Sequence, residues 1–188
     1  MDGNGELQRR AAMLEAMRVF VEEHGLAPLT LEKAAELTGL SPAEFEEYFE
    51  SKVDVVVALL AENRRHQRDA FARILAEPSI SLEESLRRMW RFFTESEYGL
   101  RTFFEAYGMA LQESDYQTFL HGTGDWLPMI GAAIERYGVP KARSQALATL
   151  VITVYRGLLM DLYATGERAR TNAAMEQWIE MIAAVRPR

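Results

Sequence analysis

Residues 41–52 read SPAEFEEYFESK, from Ser41 to Lys52, and this stretch decides the fold. Ser41 suits a helix N-cap, where its hydroxyl accepts a bond from a first-turn backbone N–H. Pro42 suits the first helical position, where a missing N–H costs nothing. Glu44, three residues beyond the cap, completes a capping box. The spacing predicts a helix from 42 to 49. Phe45 and Phe49, four residues apart, share one face with Leu40 and point into a core. The outward stripe is Ala43, Glu46, Glu47 and Glu50, so the exposed surface of this helix is acidic.

The pattern extends on both sides. Apolar residues at helical spacing, with Leu14, Met17 and Val21 among them, predict a first helix over 7–24. Gly25 follows as a residue able to take the left-handed conformation that ends helices. Thr30 caps a short second helix over 31–37, and Gly39 makes the turn into Ser41. Two short helices joined by a tight glycine turn after a longer helix form a helix-turn-helix unit. Downstream, helical periodicity predicts segments over 53–76, 81–94, 100–112, one beginning near Pro128, and then 141–164 and 171–185. HGTGDW (121–126) reads as a loop or break. No strand alternation is sustained, so the fold class is all-α. The expected domains are 1–52, the helix-turn-helix head, and 53–188, a larger helical domain joined to it through a long helix with no flexible linker.

Composition narrows the classes. The chain has 188 residues, 48% hydrophobic and 26% charged, which fits a soluble globular protein. The longest apolar run, Leu147 to Val154, is interrupted by Thr149 and Thr153 and is too short to cross a bilayer; no membrane partner is expected. The polar N-terminus is no secretory signal, and a cytoplasmic location fits best. With no cysteine there is no disulfide, thiolate metal site or cysteine nucleophile. Net charge is −7, and residues 1–56 hold five bases against twelve acids. The remaining 16 bases and 16 acids balance, so the negative excess sits in the N-terminal third.

AAMLEAMRVFVEEHG (11–25), TLEKAAELTGLS (30–41) and EYFESKVDVVVALL (47–60) resemble the tetracycline-repressor (TetR) family of transcriptional regulators. VYRGLLMDLYATG (154–166) looks like the penultimate helix of such proteins. The specific match covers about the first third of the chain. The resemblance implies a homodimer, a head that enters the major groove of duplex DNA, and a larger domain that binds a small-molecule effector. Carried over, the DNA-facing positions are Thr30, Lys33, Ser41, Ala43, Glu46, Glu47, Tyr48 and Lys52. Where the family usually offers Tyr, His, Lys or Thr, this chain presents carboxylates, and Glu46 stands where a phosphate-contacting Tyr is common. Glu46 or Glu47 can accept a hydrogen bond from cytosine N4. Phosphate neutralisation still supplies much of DNA affinity, and only Arg9, Arg10, Lys33 and Lys52 look placed to provide it.

In the larger domain, aromatic residues are dense from Trp90 to Trp126. Most are core, and a subset is expected to line an effector cavity: Trp90, Phe93, Phe104, Tyr107 and Trp126, with His121 as a polar contact. Leu150, Val154, Gly157, Leu158, Trp178 and Ile182 exceed what one inward stripe needs. They are expected to form a two-fold interface in which two helices from each protomer make a bundle. His24, His66 and His121 lie far apart without metal-ligand spacing, so neither a metal nor a cofactor is implied. No catalytic motif is legible. Two readings follow: a dimeric regulator responding to a small apolar or amphipathic effector, or the same scaffold without DNA binding. The second would serve as a small-molecule- or protein-binding module, or an enzyme, for which no motif speaks.

Overall fold

The computed structural model describes residues 3–77, 79–96, 99–117 and 126–184, and among these the chain is all-α, with nine helices and no strand. In chain order the helices are α1 (Gly3–His24), α2 (Leu31–Thr38), α3 (Pro42–Glu46), α4 (Lys52–Leu75), α5 (Leu82–Ser96), α6 (Leu100–Ala110), α7 (Trp126–Arg136), α8 (Lys141–Thr165) and α9 (Arg168–Ala184). A 3₁₀ turn spans Ser114–Tyr116. The chain divides into two compact units, residues 1–67 with 98–122 and residues 68–97 with 123–188. The head defined by chain order ends near residue 52; by packing, α6 joins it because α6 lies against α1.

The first unit is built around the aromatic pair that the opening stretch singles out. Phe45 and Phe49 are fully buried, with ring centroids 5.2 Å apart, among Met17, Val21, Leu26, Leu29, Val55, Val56 and Leu59. The helix ends are closed as their residues dictate. The Thr30 hydroxyl accepts from the Lys33 N–H at 3.1 Å. Gly39 is left-handed (φ 70°), its N–H bonds the Glu36 carbonyl, and the Leu40 N–H bonds the Ala35 carbonyl. That pairing is the Schellman closure, so two carbonyls left over at the end of α2 are satisfied by the turn itself. At α3, Ser41 and Glu44 form the reciprocal capping box.

Among the boundaries that differ from the sequence expectation, two have a clear physical reason. α3 stops at Glu46 rather than 49: the N–H groups of Tyr48 and Phe49 both converge on the Phe45 carbonyl, which tightens the chain into a turn. Arg10 of α1 then donates to the Tyr48 carbonyl at 3.1 Å, satisfying a group that a continuing helix would have used. α9 starts at Arg168, not 171. Gly166 ends α8 in the left-handed conformation, and the fully buried Thr171 hydroxyl bonds back to the Glu167 and Arg168 carbonyls instead of capping.

In the second unit α7 packs along α8, and α5 packs against both α8 and α9. Tyr155 of α8 is its hub: buried, it donates its hydroxyl proton to the Leu86 carbonyl and meets the rings of Trp90, Phe93 and Trp178 edge-on. Burial pushes the Tyr155 pKa far above its usual value, so the hydroxyl remains a donor. α8, at 25 residues, is long and apolar enough by length and composition to cross a bilayer, although its longest apolar run is short. One side of it is spent on α5, α7 and α9.

Phe45→Ala should cost about 3–5 kcal/mol in urea unfolding followed by circular dichroism, the range for truncating a fully buried phenylalanine. A loss under about 1 kcal/mol would mean that Phe45 does not anchor the head.

Candidate nucleic-acid interface

Burying Phe45 and Phe49 leaves the rest of the α3 region outward. Ser41, Pro42, Ala43, Glu44, Glu46, Glu47 and Glu50 are all exposed, and none carries a positive charge. Glu44 is occupied: its carboxylate accepts from the Ser41 N–H at 2.9 Å and from the Ser41 hydroxyl at 2.6 Å. These bonds hold its pKa below the usual carboxylate value. Glu46, Glu47 and Glu50 are the acids left to face a ligand.

The nearby bases are engaged, which sequence spacing does not reveal. The Tyr48 side chain beside Arg9 raises the pKa of that exposed guanidinium. Arg10 spends its guanidinium on the Tyr48 carbonyl and sits 4.5 Å from the centroid of the Phe49 ring. Tyr48 therefore holds Arg10 at the end of α3, with Arg9 exposed beside it. Arg18 pairs with Glu15 at 2.6 Å. Lys33 pairs with Glu36 at 2.9 Å and lies over the Phe20 ring. Lys52 donates to the Ala27 carbonyl at 3.1 Å. Thr30 is spent as a cap. Of the eight DNA-facing candidates, Lys33 and Lys52 bring positive charge, each on a flexible stem held by exposed contacts that a phosphate can replace at little cost.

The effector candidates separate. Trp90, Phe93 and Trp126 belong to the second unit, where Phe71 meets Phe93 at 5.1 Å and Trp126 at 5.2 Å between centroids. Trp90 is 5% exposed and its indole N–H is committed to Asn172 at 2.7 Å. Phe104 and Tyr107 belong to the first unit, where both meet Phe103, and Tyr107 packs on the head core. His121 lies outside the described residues. An apolar crevice in the second unit, with room for about one water molecule, is lined by Leu82, Leu86, Ile134, Val139, Leu147, Val151 and Ile182. Of the six named interface candidates, Ile182 lines this crevice.

The remaining interface candidates spread from core to solvent. Trp178 is half-buried against Tyr155, Val154 and Leu158 are half-buried, Gly157 is exposed with open space at its Cβ position, and Leu150 is 51% exposed. Every exposed residue from 145 to 165 is uncharged: Gln145, Ala146, Thr149, Leu150, Thr153, Gly157, Met160, Tyr163, Ala164 and Thr165. Met160 and Tyr163 are more than half exposed, although an apolar residue in a helix reads first as core. Among the described residues, no cluster of His, Asp or Glu is arranged to hold a metal ion.

The capping box should make head stability pH-dependent. A carboxyl whose folded pKa is depressed stabilises above its unfolded pKa, near 4.3 for glutamate, and that stability is lost as pH falls through the folded value. Ser41→Ala should therefore lower the urea midpoint at pH 7, and the gap to the parent should narrow below about pH 4. A gap independent of pH would remove the charged Glu44 from the cap.

No known sequence family and no curated protein matches this chain. Solved structures do. A TetR-family transcriptional regulator from Cytophaga hutchinsonii superposes with TM-score 0.82 at 18% identity, covering 100% of this chain and 99% of its own. A TetR transcriptional regulator from Legionella pneumophila gives 0.72 at 17%, covering 90% and 94%. The multidrug binding protein EbrR, complexed with imidazole, gives 0.67 at 21%, covering 96% and 91%. At these identities the likeness is one of architecture: this chain has the fold of the TetR-family transcriptional regulators.

Proposed function

We propose that the protein is a dimeric transcriptional regulator that places α3 in the major groove of duplex DNA and responds to a small apolar or amphipathic effector. The observation that carries this reading is the intact helix-turn-helix. α2 and α3 are closed by a Schellman turn and a capping box, and α3 is pinned on one face and wholly exposed on the other. Groove insertion needs such a helix. Binding of the effector would favour one of two dimer states, and only the state whose reading heads match DNA half-sites binds tightly.

The dimer rests on α8. A soluble helix normally puts charge on its solvent side, yet the exposed residues of α8 from 145 to 165 carry none, and its two charged residues there, Arg156 and Asp161, are half-exposed, Asp161 paired with Arg170. A second copy pairing α8 and α9 about a two-fold axis would cover that surface. The effector reading is supported by the half-buried rings of Phe93 and Trp126 and by a structural neighbour that is a multidrug binding protein.

A second reading is favoured by the acidic helix. If DNA binding has been lost, Glu46, Glu47 and Glu50 face a basic protein surface, and replacing them by lysine should abolish that complex. The two readings separate in a gel-shift assay with duplex from upstream of the protein's own coding region, at low and moderate salt. The regulator reading predicts a sequence-specific complex, and absence of one at both salts contradicts it. Glu46→Lys with Glu47→Lys should raise non-specific DNA affinity at least tenfold while blurring sequence choice, because two repulsive charges become attractive. Gly157→Glu should convert the dimer to monomer in sedimentation velocity with helicity unchanged; an unaltered sedimentation coefficient would place the interface elsewhere.

A further inference from the structure

The outward side chains of α3 offer one kind of hydrogen-bonding group. Ser41, Pro42, Ala43, Glu44, Glu46 and Glu47 are exposed, Phe45 is fully buried, and Tyr48 is half-buried with its ring packed on the head core. Pro42 and Ala43 carry no polar atom beyond the backbone. The Ser41 hydroxyl is spent in both directions, donating to the Glu44 carboxylate at 2.6 Å and accepting from the Glu44 N–H at 3.3 Å. The Glu44 carboxylate is spent in the same cap, where it also accepts from the Ser41 N–H at 2.9 Å. Glu46 and Glu47 remain. An ionised carboxylate accepts hydrogen bonds and donates none, so the reading face of this helix is acceptor-only. The cations that a phosphate can recruit, Lys33 and Lys52, stand on α2 and α4 and add no donor to α3.

The major groove answers such a face with a fixed pattern. Guanine shows two acceptors there, N7 and O6, and thymine shows O4 and a methyl group. Adenine shows the N6 amino group beside the N7 acceptor, and cytosine shows the N4 amino group alone. A carboxylate therefore meets a donor with no acceptor on the same base only at cytosine. At guanine it gives up water and gains two opposing lone pairs, and a polar group that loses its hydration without a partner costs more than a missing bond. Specificity is a difference of affinities, and here the repulsive half of that difference is large. The commonest specific contact, a basic side chain donating to guanine, is the one that this helix lacks.

Resting on the reading of α3 as the helix that enters the groove, we infer that Glu46 and Glu47 are the specificity-determining residues of this protein. Each selects a cytosine through its N4 amino group, and guanine is excluded from the strand positions that the two carboxylates face. The same charge that weakens attraction to phosphate thus serves to choose among bases.

The test begins with selection of duplexes bound by the full-length protein from a randomised pool at low salt. The expected half-site holds cytosine at two positions, and guanine at either weakens binding by about tenfold or more. N4-methylcytosine still pairs with guanine but places a methyl group where the amino hydrogen faced the groove, and at those positions it should weaken binding by about fivefold or more. Glu46→Gln and Glu47→Gln, made singly, should each exchange one cytosine of the half-site for adenine, because a carboxamide donates to N7 while it accepts from N6. Both residues are exposed, so circular dichroism should show unchanged helicity in either variant. A half-site that is identical for the parent and both glutamine variants, or one that tolerates N4-methylcytosine throughout, overturns this assignment and leaves the regulator reading standing. A pool from which no sequence is enriched overturns both.

Discussion

The stacking of Phe45 on Phe49 is the constraint on which the head depends. Two fully buried rings, each worth about 1.5–3 kcal/mol of apolar transfer, fix the rotation of the chain from Ser41 to Glu50. Once that rotation is fixed, the remaining residues have no choice of face. Glu46, Glu47 and Glu50 face solvent because Phe45 and Phe49 cannot. The shape required for groove reading and the charge that opposes it come from the same packing.

Shape and charge can be weighed. Releasing Lys33 from Glu36 or Lys52 from the Ala27 carbonyl costs little, since exposed pairs contribute about 0–1 kcal/mol. Arg10 is a different case, because it holds the Tyr48 carbonyl and lies on the Phe49 ring, and Arg9 sits beside the Tyr48 side chain. Moving Arg10 disturbs the end of α3 itself. The head therefore has two easily recruited cations against three exposed carboxylates, and non-specific attraction to phosphate is small. Any duplex binding must come from base contacts and from doubling the heads in a dimer.

Much of this is legible in the residues themselves. Thr30, Gly39, Ser41, Pro42 and Glu44 are local signals, and a local signal acts in any fold that tolerates it. The engagement of the arginines was not legible, because Arg10 and Tyr48 lie 38 residues apart and meet only through packing. Phe104 and Tyr107 share an aromatic run with Trp90 and Phe93 in sequence, yet α6 packs on α1 in the first unit while Trp90 and Phe93 pack within the second. The sequence expectation sets the start of the last helix three residues late, at Thr171, which lies one turn inside it with its hydroxyl bonded to the Glu167 and Arg168 carbonyls.

The salt dependence of duplex binding tests the central claim most directly. Each phosphate neutralised contributes about −0.9 to the slope of log Kobs against log salt. With Lys33 and Lys52 alone available in each head, four contacts in a dimer, the slope should be no steeper than about −4. A slope of about −7 or steeper would mean that all four bases of each head reach phosphate, and that Arg9 and Arg10 leave their places beside Tyr48.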